Sequence, residues 1–369
     1  MLFSALFCPV FVKHVRPAML SRPVLLIRFN KNVFSPAFLS QVLHRVPEVP
    51  RSKDTMSNNS TVHNCTIEQK NYVFVAVYSL VFLTSLVLNL TALVIFFCSA
   101  KSRSHTTVYM TNLALADLLL VLTLPMRICY HLGYDLPSFR LCEIIGLVLL
   151  VNMYGSIFLL TCMSFDRCMA VCFPMSPRVK EARKKAPFVC LGVWMLTIGA
   201  SLPIYLPKMI KNQEPNSICF GSSPIYATQP GAVAATLTVG FTIPLTTMLV
   251  CSWFMIRAID RSTVAQMKMI NSQKIQRMVT ANLTVFLVCF LPYHLLLGLL
   301  SKYSNPTLCT AFHHSFLVAC LNASLDPIVY YFTTETFQDK VDIENVWRML
   351  PKHNHSSDKN QQSEVPLNT

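Results

Sequence analysis

Seven long apolar stretches, separated by short polar segments, dominate the sequence. The stretches lie at residues 72–98, 108–131, 142–166, 188–207, 229–256, 279–301 and 308–332. Each is long enough to cross the hydrocarbon core of a bilayer, about 30 Å thick, as an α-helix that rises about 1.5 Å per residue. None alternates apolar and polar residues as the strands of a membrane barrel do. We therefore predict an all-α membrane protein, a bundle of seven transmembrane helices over residues 72–332.

The charges of the connecting loops predict the orientation of the bundle. Loops 99–107, 167–187 and 257–278 carry thirteen Lys and Arg residues, whereas the alternate loops carry four. Because Lys and Arg accumulate on the cytoplasmic side, we expect the amino terminus outside the cell and the carboxyl terminus in the cytoplasm. Glycosylation sequons agree with this orientation, since glycans are added on the outer side; they begin at Asn58, Asn59 and Asn64. We expect a multi-pass protein of the plasma membrane.

The composition argues against several other classes of protein. Charged residues make up 13% of the chain, against about a quarter in globular proteins. The 9 glycines form no phosphate-binding loop, and the adjacent His313 and His314 cannot share a helix face as zinc ligands, so we predict that the protein is not an enzyme. The net charge of +14 lies largely in loops and near the amino terminus, and we expect no nucleic acid partner. A transporter is a remote alternative, because no internal repeat is evident.

The segments outside the bundle have distinct compositions. Residues 1–55 are basic and have two interpretations: a targeting presequence, or an upstream extension outside the folded protein, with Met56 as the working start. Residues 56–71 form the extracellular segment with the sequons. Residues 333–350 have apolar side chains at helical spacing and predict an amphipathic helix on the inner membrane surface. The polar tail 351–369 is expected to be disordered.

Several short motifs occur at fixed places within the spans. In chain order they are Asn89, the string NLALAD ending at Asp117, Asp166-Arg167-Cys168, Trp194, the string FLVCFLP ending at Pro292, and Asp326-Pro327-Ile328-Val329-Tyr330. Together, over about 56–345, they resemble the rhodopsin-like family of G-protein-coupled receptors. The strings LPMR at 124–127, NMYGS at 152–156 and FLPYH at 290–294 are similar to its purinergic-receptor-like branch. That branch contains receptors for nucleotides, receptors for lysophospholipids such as lysophosphatidic acid, and related orphans.

The resemblance implies a switch at the cytoplasmic end of the bundle. It assigns Arg167 to the engagement of a heterotrimeric G protein, with Tyr330 moving toward it on activation and Asp166 as its ion-pair partner at rest. Ser272 stands where some relatives carry an acid that holds the third and sixth helices together, so we expect a resting state that is less tightly held. Arrestin is a further partner expected at the cytoplasmic tail.

Two acids lie deep within the spans, where charged groups are costly: Asp117 and Asp326. Asn89, Ser156 and Asn322 are polar groups that could join them. One interpretation is a site for water or an allosteric sodium ion, the only metal or cofactor that we consider. The alternative is a purely structural polar network.

The resemblance also implies a disulfide bond between Cys142, at the top of the third span, and Cys219, in the second outer loop. Cys65 and Cys309 are a second candidate pair, which would join the amino-terminal segment to the last outer loop. The other cysteines lie mostly in apolar runs, and we interpret them as buried thiols.

The residues expected to face the outer cavity indicate the ligand class. Leu149 stands where amine receptors carry an aspartate, and Cys320 stands where opsins carry a lysine, which excludes biogenic amines and retinal. The candidate ligand-binding residues are cations or histidines, which become cations on protonation: Arg127, His131, His294, Lys302 and His313. Since a guanidinium binds phosphate or carboxylate through its planar fork, we predict an anionic ligand.

The sixth span favours a lipid. Nucleotide receptors of the branch typically carry a basic residue three positions after the histidine of this span, and Leu297 occupies that position, after Leu295 and Leu296. This leucine run favours an acyl chain, so we predict a receptor for an anionic lysophospholipid. An extracellular nucleotide is the alternative ligand.

Overall fold

A computed structural model of the protein describes residues 69–98, 105–134, 138–210, 219–220, 229–260, 265–303 and 305–333. These residues belong to the folded unit Val62–Thr369, and they contain helices but no strand. The helices are Tyr72–Cys98, His105–His131, Phe139–Cys172, Pro177–Lys184, Ala186–Ile210, Pro230–Ala235, the π-helix Thr236–Thr242, Ile243–Asp260, Ala265–Leu300, Pro306–Cys320 and Asn322–Thr333. The predicted extension 1–55, the sequons, the surface helix and the tail fall outside the described residues, apart from Thr333.

Seven helical segments are long and apolar enough to cross a membrane, which confirms the seven predicted spans. We number them in chain order. The fifth span consists of Pro230–Ala235, the π-helix and Ile243–Asp260, and the seventh consists of Pro306–Cys320 and Asn322–Thr333. The third helix continues past the predicted end to Cys172, and the sixth begins at Ala265 instead of 279. Both extensions lie beyond the apolar stretches, because helical structure does not end where hydrophobicity ends.

A short helix, Pro177–Lys184, lies in the segment that the sequence predicted as a loop after the third span. The hydroxyl of Ser176 caps it by accepting a hydrogen bond from the backbone of Val179 at 3.4 Å, and Pro177 occupies the first turn. These residues are favoured at helix starts, so the Ser-Pro pair was a readable signal. Val179 and Arg183, four residues apart, face the bundle, since Val179 is buried and Arg183 pairs with Asp166. We call this element the loop helix.

The fifth span contains one wide turn, which the pattern of apolar residues did not predict. In the π-helix Thr236–Thr242 the backbone amide of Ile243 donates to the carbonyl of Thr238, five residues back. Gly240 in this turn is buried, and a Cβ atom placed on it would lie 2.7 Å from a ring carbon of Tyr154. The glycine therefore allows the backbone of the fifth span to approach the third span closely.

The third span lies at the centre of the bundle and the fourth at its edge. In their most apolar stretches 72% of the third span is buried, against 22% of the fourth. The indole of Trp194 on the fourth span donates to the side chain of Asn112 on the second at 3.0 Å, so two of the sequence motifs meet. The first, second, third and seventh spans share an apolar cluster, formed by Phe74, Tyr78, Val81, Leu120, Leu124, Leu149, Leu317, Cys320 and Ala323.

Candidate functional site

Arg127 is a buried cation near the carboxyl end of the second span, which is predicted to face the outside of the cell. Its side chain is 4% exposed, and one terminal nitrogen donates to the backbone carbonyl of Ile145 at 3.4 Å. The guanidinium carbon lies 4.4 Å from the ring centre of Phe220 and 5.9 Å from that of Tyr78. Its Nε atom has no hydrogen-bond partner, and no ion pair joins Arg127 to another described residue. The guanidinium therefore forms no ion pair with another described residue, and the buried acid Glu143 is related to it only through Tyr205, which lies within electrostatic range of both.

One of the predicted histidines, His131, lies close to this guanidinium, and a second, His313, lies near His131. The ring of His131 is 6.0 Å from that of Tyr78, which also contacts Arg127. Nδ1 of His131 is 3.1 Å from the backbone carbonyl of Gln69, so the segment before the first span is attached here. His313, on the seventh span, lies within electrostatic range of His131, is buried, and has no hydrogen-bond partner for Nε2. Arg127, His131 and His313 thus form one basic cluster.

The structure separates the other two predicted residues from that cluster. His294 lies in an aromatic pocket between the third, fifth and sixth spans, where its ring stacks on Phe241 at 4.5 Å. Its Nδ1 atom is 2.8 Å from the carbonyl of Phe290, and its Nε2 atom is 3.4 Å from the hydroxyl of Tyr154. Lys302 is exposed in the turn after the sixth span. The aromatic pocket around His294 and the basic cluster around Arg127 are therefore separate sites.

The predicted disulfide bond between Cys142 and Cys219 is present, with 5.9 Å between the Cα atoms. It places the next residue, Phe220, over Arg127, and the backbone of Phe220 adopts φ 53°, in the left-handed region that non-glycine residues seldom occupy. Sequence reasoning missed Phe220, although an aromatic residue directly after the loop cysteine was a readable signal. Cys309 also takes part in a disulfide bond, and the partner predicted for it, Cys65, lies outside the described residues.

The polar residues in the middle of the bundle are fully buried and incompletely paired. Asp117 accepts a hydrogen bond from Asn152 at 3.1 Å through one carboxylate oxygen, and its other oxygen has no partner. Asp326 lies within electrostatic range of Asp117. Its carboxyl group neighbours the side chains of Asp117 and Asn322, but its oxygens accept no well-aligned hydrogen bond, and the hydroxyl of Ser156 has no partner.

Two further observations complete this network. Asn89 donates to the backbone carbonyls of Ser85 at 3.0 Å and Ala323 at 2.8 Å, and so joins the first and seventh spans. Asn152 was not among the predicted network residues. Its spacing of four residues from Ser156 places both on one face of the third span, which was the available signal.

Asp166 has a different partner from the one that the sequence predicted. Both of its oxygens bind Arg183 of the loop helix, at 2.7 and 3.0 Å, and one also accepts from Thr106 on the second span at 2.8 Å. The expected pair with the adjacent Arg167 is thus replaced by a pair with a residue seventeen positions away. Hydrogen bonding to the Asp166 carboxylate raises the pKa of Arg183. Asp166 therefore joins the second span, the third span and the loop helix.

Arg167 lines a cleft between the third, fifth and sixth spans, at the end of the bundle that is predicted to face the cytoplasm. The cleft is partly open to solvent and has a cavity volume of about 10 Å³. At its wall Asn282 of the sixth span donates to the hydroxyl of Ser164 and to the carbonyl of Leu160, the latter at 3.4 Å. Tyr330, the third predicted switch residue, is fully buried on the seventh span, 5.6 Å from the ring of Phe96. The cross-helix link through Asn282 was not predicted.

Comparison with known families decides the class of the protein. Residues 88–330 match the model of the 7 transmembrane receptor (rhodopsin family). The chain belongs to this family. It is a rhodopsin-like G-protein-coupled receptor of the purinergic-receptor-like branch, as the motifs suggested.

Curated relatives of the receptor cover most of its length. It is 34% identical to human lysophosphatidic acid receptor 6 over 291 residues, which is 75% of this chain and 85% of the relative. It is 33% identical to human lysophosphatidic acid receptor 4, over 76% of this chain and 80% of the relative. Mouse cysteinyl leukotriene receptor 1 is 32% identical, over 77% and 84% of the two chains. The region matched to the family contains Arg127, Asp117, Arg167 and Tyr330.

Proposed function

We propose that the receptor binds an anionic lysophospholipid at the outer end of the bundle and activates a heterotrimeric G protein. The observation that carries this proposal is the buried Arg127 guanidinium, which forms no ion pair with another described residue. A buried charge is costly unless it is paired, so an anionic ligand would remove that cost. The guanidinium fork suits phosphate or carboxylate, and His131 and His313 offer further hydrogen bonds beside it.

The inner side of the sixth span favours a lipid ligand over a nucleotide. Leu297 is fully buried and faces the bundle, whereas Leu295 is 52% exposed and faces outward, so only part of the predicted leucine run can line a cavity. Phe241 and Phe286 add buried apolar surface beside His294. Two of the relatives described above are named as receptors for lysophosphatidic acid, which combines a phosphate with an acyl chain. A nucleotide receptor is the alternative outcome of the test below.

The same proposal includes the partners and the orientation. Membership of the receptor family supports a G protein as the partner of the Arg167 cleft, and argues against a transporter or an enzyme. The excess of basic residues in alternate loops supports an extracellular amino terminus and a cytoplasmic carboxyl terminus, as expected in the plasma membrane. Arrestin would bind the tail, which lies outside the described residues.

A sodium ion is proposed beside Asp117 and Asp326. Hard cations are bound by oxygen ligands, and five side chains of the network have buried oxygens that receive no well-formed hydrogen bond: Asn89, Asp117, Ser156, Asn322 and Asp326. These residues fit a small cation of low charge, which would offset the negative charge of two neighbouring carboxylates. The structural polar network without an ion is the alternative.

The test is a comparison of Arg127→Ala with Arg127→Lys. Truncating one partner of a buried charge pair costs about 2–5 kcal/mol, so the potency of lysophosphatidic acid should fall at least about thirtyfold in Arg127→Ala. Lysine keeps the charge but not the fork, and should restore part of the potency. Lys302→Ala removes an exposed outer cation and is the matched control, with potency unchanged. The measurement is agonist-stimulated guanine nucleotide exchange in membranes, with receptor amount determined separately.

A series of acyl chain lengths separates the two ligand classes. Each buried methylene contributes about 0.8 kcal/mol, so removing two carbons should lower potency about fifteenfold. A flat series, or activation by adenine or uridine nucleotides through Arg127 with no response to lysolipids, would refute the lipid assignment.

A further inference from the structure

We infer that the junction between the loop helix and the fourth span is a binding surface for an anionic phospholipid of the inner leaflet. The surface consists of four exposed cations, Arg178, Lys180, Lys184 and Lys185, and the apolar side chain of Phe188. It is separate from the proposed ligand site, which lies at the other end of the bundle. The inference rests on the proposed orientation, which places this end in the cytoplasm.

The apolar part of the surface begins a lipid-facing stripe. Phe188 is 75% exposed, and Leu191, Met195 and Ile198 are also exposed. Residues spaced by three, four and three positions lie on one face of a helix, so the four side chains form a continuous row along the fourth span. A row of large apolar side chains on the outside of a membrane bundle faces hydrocarbon. Phe188 therefore marks the depth at which the acyl chains of the inner leaflet end.

The cations follow this stripe directly toward the cytoplasm. The backbone amide of Val189 donates to the carbonyl of Lys185 at 3.1 Å, so the first turn of the fourth span starts at Lys185. Lys185 lies three residues before Phe188 and on the same side of that turn. Lys184 is next to it, and Arg178 and Lys180 extend the positive charge along the loop helix. These ammonium and guanidinium groups thus lie at the level of phospholipid headgroups.

The contact that holds the loop helix in place does not involve the four cations of the surface. The loop helix is fixed by Arg183, whose pair with Asp166 leaves the four other basic residues exposed. Glu181 is the acid beside them, and its contact with Lys184 at 2.9 Å is between side chains that are each 65% exposed. Such a surface pair is weak and can be exchanged for a phosphate. The lysine contact lowers the pKa of Glu181, so this acid remains ionised at neutral pH.

The position of the surface favours the membrane over the G protein. The Arg167 cleft lies between the third, fifth and sixth spans, whereas the fourth span packs on the second and third. The cations therefore adjoin hydrocarbon-facing residues and not the cleft. A headgroup with several phosphates would bind the four cations best, since each basic residue near an anionic membrane surface strengthens binding about fivefold.

The test measures lipid binding to the purified full-length receptor without agonist. Dioctanoyl phosphatidylinositol bisphosphate is titrated and bound lipid is counted by native mass spectrometry, with dioctanoyl phosphatidylcholine as the neutral probe and inositol trisphosphate as the headgroup without chains. Lys184→Gln/Lys185→Gln should bind the bisphosphate about 25-fold more weakly than the unaltered receptor, at about fivefold per residue. The control, Arg257→Gln/Arg277→Gln, removes two cations from the fifth and sixth spans and should change binding less than threefold.

Three results would overturn the inference. An equal loss in the control would mean that diffuse charge attracts the lipid. Inositol trisphosphate binding as tightly as the lipid would mean that the apolar stripe plays no part. The third result is a reduced G-protein activation by Lys184→Gln/Lys185→Gln in nanodiscs that contain only neutral lipid. Because no anionic lipid is present there, this loss would assign the surface to the G protein. None of these results depends on which agonist the receptor recognises.

Discussion

The bond between Asn282 and Ser164 allows a quantitative prediction about the resting state. The Arg167 cleft has a cavity volume of about 10 Å³, which is room for about one water molecule, so a segment of a G protein can enter only if the third and sixth spans separate. Separation would break the hydrogen bonds from Asn282 to Ser164 and to Leu160. Ser164→Ala removes the first of these bonds from the resting state alone, and should therefore raise signalling without agonist.

The size of the effect follows from the value of one hydrogen bond. A neutral hydrogen bond contributes about 0.5–1.5 kcal/mol, so the active population should rise about two- to thirteenfold in Ser164→Ala. Asn282→Leu removes both bonds and should raise it further. Basal guanine nucleotide exchange per receptor is the assay. Ser252→Ala is the matched control, because this serine lines the same cleft but donates within its own helix, to Met248 at 2.6 Å. Equal basal exchange in the two serine variants would refute the reasoning.

Three further predictions concern the switch, the polar network and the disulfide bond. Arg167→Ala should abolish agonist-stimulated exchange while agonist binding is kept; retained exchange would contradict its role. Asp117→Asn removes a charge from the proposed sodium site, so agonist affinity should become nearly insensitive to sodium in competition binding, and an unchanged sodium dependence would leave the structural network. Cys142→Ser frees Cys219 and with it Phe220, so surface expression and binding should both fall in cell-surface and radioligand measurements; wild-type values would contradict this.

The spans were predictable because each depends on a local property, a run of apolar residues of sufficient length. The wide turn of the fifth span was not, because it depends on the close approach of Gly240 to Tyr154, which are distant in sequence. The loop helix carried its own start signal in Ser176 and Pro177. Its role in binding Asp166 became visible only once the helix was placed.

The candidate ligand site was partly predictable for similar reasons. The depth of Arg127 in an apolar span predicts that it is buried. The rotation of each helix about its axis decides which cations meet, and this separates His294 from Arg127 although both lie in outer halves of spans. The position of Phe220 over Arg127 depends on the disulfide bond and on an unusual backbone conformation, neither of which is a local pattern.

The wide turn at Thr236–Thr242 also changes how this receptor should be aligned with others. Successive residues of an α-helix are rotated by about 100° about the helix axis. A turn that contains one additional residue therefore rotates all the residues before it by about that angle. If residues were counted back from Pro244 as though the helix were regular, Ala235 and the residues before it would be assigned to the wrong face of the span. Deleting one residue from the turn would rotate the outer part of the span and point lipid-facing side chains inward. A chimera with a relative whose fifth span is a regular helix should join the two sequences after Ile243.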